Sequence, residues 1–217
     1  MNRTWLCAVV GVSAAAIGIA SICGAAPSLK TMVAARGARV GDPAPGWTMS
    51  DTKGKTHSLA QYAGKYVVLE WTNHQCPYVQ AQYRTGNMQA TQKWAVDHGV
   101  VWLSVISSAP GSQGYVTPEQ GEELLKAQHA YATAKVFDPE GTVGHAYGAK
   151  TTPDMMVINP KGVLIYSGAI DDKASADDAE LKTAHNYVKA ALEEAMAGKP
   201  VSTPTSQPFG CAVKYAH

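Results

Sequence analysis

The sequence predicts an α/β fold: a mixed sheet with an N-terminal β-hairpin and helices on both faces. Three observations carry this. Lys65–Thr72 (KYVVLEWT) and Val100–Ser107 (VVWLSVIS) are near-continuous apolar, β-branched runs, the pattern of strands buried on both faces. The stretch between them has helical spacing, so the two strands form a parallel pair joined by a crossover. Asp154–Asn159 and Gly162–Ser167 flank Asn159-Pro160-Lys161-Gly162, a turn that joins two antiparallel strands and makes the sheet mixed.

Taken in order, residues 47–58 read as a hairpin turning at Asp51-Thr52-Lys53-Gly54. Ser58 caps one helical turn over 58–62. After the first buried strand, Pro77–His98 reads as one helix, with Val79, Tyr83, Met88, Thr91 and Trp94 near one face and Gly86 weakening its middle. Ala109–Val116 is a Gly/Pro/Ser loop. Thr117-Pro118-Glu119-Gln120 combines an N-cap, a first-turn proline and a capping-box Gln, and opens a helix running to about Ala132. Lys135–Asp138 is a short strand and Gly141–Tyr147 a short helix closed by Gly148. After the antiparallel pair, Asp171–Asp178 reads as a solvated acidic loop. Glu180–Ala197 reads as an amphipathic helix with Leu181, His185, Val188, Leu192 and Ala195 on one face, stopped by Gly198 and Pro200. Residues 198–217 form an extended arm that carries Cys211.

The N-terminus has the pattern of an export signal. Arg3 supplies a positive charge, an apolar run follows from Trp5 to Ala26, and no acidic residue precedes Asp42. Cleavage after Ala25 would put Cys23 and Ala25 at the −3 and −1 positions, and Val33-Ala34-Ala35 is a second possible exit. The alternative is an uncleaved single-span anchor, because the run reaches the ~20 residues a spanning helix needs. Ile22 directly before Cys23 fits a lipoprotein signal poorly. The domain plan is therefore 1–25 signal peptide or anchor, 26–40 linker, 41–197 folded domain and 198–217 arm. The expected location is exported, periplasmic or secreted, with a membrane involved only if the N-terminal segment stays uncleaved.

Composition sets outer bounds. The chain has 217 residues, 46% hydrophobic and 16% charged, which excludes disorder throughout and suits one domain with extensions. A formal charge of +1 provides no footprint for nucleic acid. Loss of residues 1–25 would remove Arg3, Cys7 and Cys23, leaving a neutral chain whose cysteines are Cys76 and Cys211. In an oxidising compartment two cysteines are a pair or two reactive thiols.

Chemistry points to Trp71-Thr-Asn-His-Gln-Cys76-Pro-Tyr-Val79. Cys76 falls where a central strand gives way to a helix, the place where open α/β sheets carry reactive groups. Free N–H groups and the positive end of the helix dipole there favour a thiolate and lower a cysteine pKa into the range ~3.5–7.5. Thr152-Pro153 precedes a strand; a cis bond there would turn the chain sharply and leave the Thr152 backbone free to pair with an extended substrate.

With these motifs the sequence resembles the thioredoxin-like redoxin superfamily over roughly 41–197. It looks closest to exported AhpC/TSA-domain, peroxiredoxin-like proteins. The motifs are Trp71-Thr72-Asn73…Cys76-Pro77 together with the tail Gly210-Cys211-Ala212-Val213-Lys214-Tyr215. The resemblance implies a thioredoxin-like fold and a thiol-based oxidoreductase acting on a peroxide or a disulfide. Cys76 would be the nucleophile, Cys211 the resolving thiol, and Thr152 and Pro153 the substrate-positioning pair. It implies no cofactor beyond the redox-active thiols, an external reductant and a reducing thiol partner. The departures are specific. Val79 stands where thioredoxins carry a second Cys, so a local dithiol cycle is excluded. Asn73 stands where peroxiredoxins carry Thr, with Thr72 one residue earlier. No arginine follows Arg84, which lies about two helical turns past Cys76.

Other readings stay open at this point. Cys76 and Cys211 could instead form a permanent disulfide pinning the arm of a non-catalytic binding module, a bridge contributing ~4–5 kcal/mol in the loop-entropy account. His74 is either a proton carrier or an exposed loop residue. Glu70, on a buried strand, is either a proton relay or a structural partner for a nearby lysine. Trp71, Tyr78 and Trp102 read as core. A metal site is not expected, since His57, His98, His129, His145, His185 and His217 are scattered without ligand spacing.

Overall fold

A computed structural model of the chain describes residues 37–216, so the signal or anchor at 1–25 and most of the linker at 26–40 lie outside the described residues. The elements run β1 (Thr48–Asp51), β2 (Thr56–Ser58), a single 3-10 turn (Leu59–Tyr62), β3 (Val67–Trp71), α1 (Pro77–Arg84), α2 (Asn87–Asp97), β4 (Val101–Ile106), α3 (Pro118–Ala127), β5 (Ala134–Phe137), α4 (Thr142–Tyr147), β6 (Thr151–Thr152), β7 (Asp154–Ile158), β8 (Leu164–Gly168), α5 (Asp178–Leu181), α6 (Tyr187–Met196) and β9 (Cys211–Ala212). Among the described residues a seven-stranded sheet has the order β2-β1-β5-β4-β3-β7-β8, and β6 pairs with β9 in a sheet of two. β3 runs parallel to β4 and antiparallel to β7, the mixed arrangement the sequence predicts. No helix of the described residues is long and apolar enough to cross a membrane.

Every residue of β3 and β4 is buried, as their unbroken apolar character requires. Alternation along β3 sorts its side chains. Val67, Leu69 and Trp71 join a core on one face with Trp47, Leu103 and Ile158, while Val68 joins the other with Val79, Met88, Trp102 and Leu192. Ala38 and Val40 pack on the first of these cores, so ordered packing already begins inside the stretch read as linker. The Thr117–Gln120 capping box forms as its spacing requires.

The helix expected over Pro77–His98 is two helices. Gly86 adopts φ +78°, a left-handed conformation that ends the α1 path and caps α2. The helix expected over Glu180–Ala197 is also divided. Asp177 accepts from the Ala179 and Glu180 N–H groups to cap α5, and Asn186 accepts from Lys189 N to cap α6. The Asn186 amide also donates to Thr91 Oγ1 at 2.8 Å, tying α6 to α2. His185 therefore lies in the break and is exposed, not on a buried face. The helix after Thr117 ends at Ala127 instead of Ala132, and His129 turns out of helical conformation at φ +47°.

The acidic loop is not uniformly solvated. Asp171 is buried and accepts from Gln82 Nε2 at 2.7 Å, Asn87 Nδ2 at 3.2 Å and Lys173 N at 3.0 Å. A carboxylate can be buried this way because its lone pairs are satisfied.

Candidate functional site

β3 ends at Trp71, and Thr72 N still donates to Val105 O, continuing the sheet by one residue. Thr72 and Asn73 are both buried. Asn73 organises the turn into α1: its Oδ1 accepts from Gln75 N at 2.8 Å and its carbonyl accepts from Cys76 N at 3.0 Å. Gly114 lies against the Asn73 side chain so closely that a Cβ there would sit 2.5 Å from its Cγ. Its N–H donates to Gln75 Oε1 at 3.1 Å. The loop at 109–116 thus braces the turn that presents Cys76.

Cys76 is the N-cap residue of α1 and Pro77 its first residue, where a missing N–H costs nothing. The sulfur has no exposed surface. Cys76 Sγ donates to Thr152 O at 3.0 Å and accepts from Cys211 N at 3.4 Å. The Thr152–Pro153 peptide bond is cis. Thr152 pairs with Cys211, Thr151 pairs with Ala212, and Thr152 Oγ1 donates to Cys211 O at 3.3 Å. Cys76, Thr152, Pro153 and Cys211 are therefore brought together, and both thiols are free.

The two thiols have opposite character. Burial pushes the Cys76 thiol up, but hydrogen bonding from the Cys211 thiol, from the N–H groups of Val79 and Cys211 and from Thr152 outweighs it, leaving Cys76 below the usual thiol value. Cys211 is pushed up to about 11 by burial, then by its hydrogen bond to Cys76 and the Cys76 charge. One sulfur is set to be the thiolate and its neighbour to remain protonated.

The supporting residues divide. His74 is half-buried, not an exposed loop residue; its Nδ1 has no partner, and burial, then the Lys135 charge, push its pKa down. It is a neutral imidazole near pH 7 and provides no charge for a thiolate. With Gln75, Tyr115 and Leu124 it lines an open cavity of about 430 Å³ beside the Cys76 loop. Glu70 is completely buried and its oxygens are occupied: Oε1 accepts from Tyr83 OH at 3.1 Å, and Oε2 from Gln92 Nε2 at 3.0 Å, Trp102 Nε1 at 2.7 Å and Ser104 Oγ at 2.9 Å. The buried Lys135 feels the Glu70 charge without a direct ion pair, its pKa pushed down by burial and only partly restored by Glu70, so the structural partners of Glu70 are Tyr83, Gln92, Trp102 and Ser104 and not the lysine. Arg84 is not brought to the sulfur. Its guanidinium is exposed and donates through Nε and Nη2 to Asp178, and to Ala176 O at 3.3 Å.

Three features escape the sequence reading. Gly210 passes so close to Thr152 O that no Cβ would fit, a signal hidden in the quoted Gly-Cys tail. Asp154, two residues past Thr152, is buried with Oδ1 unpartnered and Oδ2 accepting from Lys150 N at 3.0 Å. His57, read as one scattered histidine among several, is buried between Asp51 Oδ2 at 2.8 Å and the Tyr62 hydroxyl at 2.5 Å, far along the sheet from Cys76. Among the described residues no group of three or more His, Cys, Asp or Glu side chains is placed to hold a metal ion.

The model of the AhpC/TSA family matches residues 40–167, a span that reaches into β8 and includes Cys76 and Thr152-Pro153. No curated protein matches the sequence. Among solved structures, a hypothetical protein from Sinorhizobium meliloti is 22% identical with a TM-score of 0.68, covering 82% of this chain and 95% of its own. An uncharacterized conserved protein from Geobacillus kaustophilus is 20% identical with a TM-score of 0.69, covering 82% and 93%. A candidate thioredoxin from Neisseria meningitidis is 20% identical with a TM-score of 0.50, covering 71% and 93%. At these identities the likeness is one of fold, and the fold is thioredoxin-like.

Proposed function

The chain belongs to the AhpC/TSA family, and from that premise we propose that it is a thiol-based oxidoreductase in which Cys76 attacks the substrate and Cys211 resolves the product. The observation that carries this reading is the pairing of Cys211 with Thr152, which holds the Cys211 N–H on the Cys76 sulfur. The opposite thiol characters add to it, since the thiolate is the nucleophile.

With a peroxide, the Cys76 thiolate attacks one oxygen. An S–O bond forms, the O–O bond breaks, and the departing alkoxide or hydroxide takes up a proton and leaves as an alcohol or water. The Cys211 thiol then attacks the sulfenic sulfur, forming the disulfide and releasing water. With a disulfide substrate, Cys76 displaces one thiol to give a mixed disulfide, and Cys211 displaces the second. In either case two electrons leave the thiol pair, and an external thiol reductant returns them. The role asks for no other cofactor.

A second reading has its own support. The arm is bonded along its length, which suits a permanent Cys76–Cys211 bridge in a binding module. Mass spectrometry of the isolated protein, before and after hydrogen peroxide and then a mild thiol reductant, separates the two. Catalysis requires a disulfide between the Cys76 and Cys211 peptides that forms with peroxide and opens with the reductant. A bridge present from the start that resists mild reductant, or thiols inert to peroxide and disulfides alike, would remove the redox reading. Export belongs to the same proposal, on the strength of residues 1–25, and the same spectra report whether the chain starts after Ala25.

A further inference from the structure

We infer that the C-terminal arm is a built-in occupant of the strand edge beside Cys76, and that it restricts the site to small oxidants by keeping extended polypeptide disulfides out until it is displaced. Its chemistry rests on the redox reading above; the pairing itself stands on geometry alone.

The edge in question is the Thr151–Thr152 backbone, next to the nucleophile. An extended polypeptide delivers its own disulfide to such an edge by adding as a strand, with main-chain hydrogen bonds supplying the affinity. Here that place is taken. β9 pairs antiparallel with β6, Thr152 opposite Cys211 and Thr151 opposite Ala212. Just beyond, Val213 N donates to Lys150 O at 3.0 Å and Ala109 N to Lys214 O at 2.8 Å. A second strand cannot use the same backbone groups while these bonds exist.

The fit of the arm is specific. Gly210 has φ +133° and lies against Thr152 O where a Cβ would collide with backbone. On one side of it, Phe209 lies on Tyr78 of α1 with ring centroids 5.9 Å apart. On the other, Tyr215 stacks on His145 at 4.0 Å, donates to Ala149 O at 2.7 Å and rests against Gly141 and Gly144. A Cβ on either glycine would strike the Tyr215 ring or hydroxyl. The strand is held at both ends.

Competition then follows from tethering. A segment linked to its own site acts at an effective concentration in the mM range, so a free polypeptide must bind far more tightly or wait for the arm to leave. A small oxidant faces a lesser barrier. It needs only a local opening around the buried Cys76 sulfur, whereas strand addition needs the whole of β9 to detach.

The test uses the full reduced chain and two separate variants, Gly210→Val, which puts a side chain into Thr152 O, and Tyr215→Ala, which removes the terminal anchor. Two readouts are compared with the parent protein. The first is binding of a fluorescent peptide with the sequence of residues 208–217 carrying Ser for Cys at the 211 position. The second is the ratio of rate constants for a peptide disulfide over hydrogen peroxide. Both variants are expected to bind the peptide about tenfold more tightly and to raise the ratio by about tenfold, the scale set by losing a tethered competitor. Unchanged binding and an unchanged ratio in both variants would overturn the inference. Cysteines inert to both oxidants, combined with a gain in peptide binding, would remove the redox reading and leave the occupied edge standing.

Discussion

The backbone N–H of Cys211 lies 3.4 Å from the Cys76 sulfur across 135 positions of sequence. It is one of several donors that together outweigh the burial of that sulfur, and the Cys211 thiol is the largest of them. Alkylation against pH, with the modified peptides identified by mass spectrometry, is expected to label Cys76 first, below the usual thiol range, and Cys211 only toward pH 11. Cys211→Ala removes the thiol donor while keeping the backbone one. The Cys76 alkylation curve then moves to higher pH, because losing a hydrogen bond to the thiolate disfavours the charged form. A curve that stays in place would mean that the helix start alone sets the nucleophile.

Glu70 lies six residues before Cys76 on the strand that leads to it, where a proton relay or a structural role are both conceivable. Four donors fill its oxygens. Glu70→Gln keeps the shape but replaces one acceptor with a donor facing donors. The expected loss of stability is about 2–4 kcal/mol by denaturant titration, the range for breaking a buried charged network. The Cys76 alkylation curve is expected to keep its position. A shifted curve with little loss of stability would reassign Glu70 to proton transfer.

Asp154 has its carboxyl raised to about 7, by burial first, with the N–H groups of Lys150, Thr151 and Met155 and the Lys150 charge offsetting only part of that. The unfolded carboxyl titrates near 3.9. Between those values the folded chain holds a proton that the unfolded chain has released, so this group makes stability fall as pH rises from about 4 to about 7. Urea midpoints measured at pH 5 and pH 8 are expected to show that fall in the parent protein and a smaller one in Asp154→Asn, which carries no titrating group. Parallel behaviour of the two proteins would show the carboxyl to be solvated.

What the sequence made legible is what short-range pattern encodes. The buried strands β3 and β4, the turn at Asn159–Gly162, the Thr117 cap and the position of Cys76 at a helix start all have local signatures: unbroken apolar runs, turn residues, caps and proline. Apolar spacing continues through both breaks, so periodicity alone shows one helix where the fold has two. Gly86 and Asn186 were the local signals, and their left-handed and capping conformations become decisive only when α2 and α6 dock against each other. At the site, Cys76 and Thr152-Pro153 were legible as motifs. The seating of the arm was not, because the fit of Gly210 against Thr152 O and the stacking of Tyr215 on His145 are long-range contacts with no periodicity. Asp171 reads as solvent-facing because its donors, the buried Gln82 and the half-buried Asn87, come from distant helices.

Arg84 provides the sharpest check on how far the peroxiredoxin likeness extends. It is the last arginine in the sequence, so any role for an arginine in holding a peroxide falls to it or to an earlier one. Its guanidinium is instead engaged with Asp178 and the Ala176 carbonyl on the exposed surface, and that pair holds its pKa up and the Asp178 carboxyl down. Exposed pairs of this kind contribute little to stability and are screened by salt. Arg84→Ala is therefore expected to leave the rate constant of Cys76 with hydrogen peroxide within about twofold of the parent value at physiological ionic strength. Asp178→Ala, which frees the guanidinium without removing it, is expected to behave the same way. A loss of tenfold or more in Arg84→Ala, with Asp178→Ala unaffected, would show that the side chain leaves Asp178 to meet the peroxide.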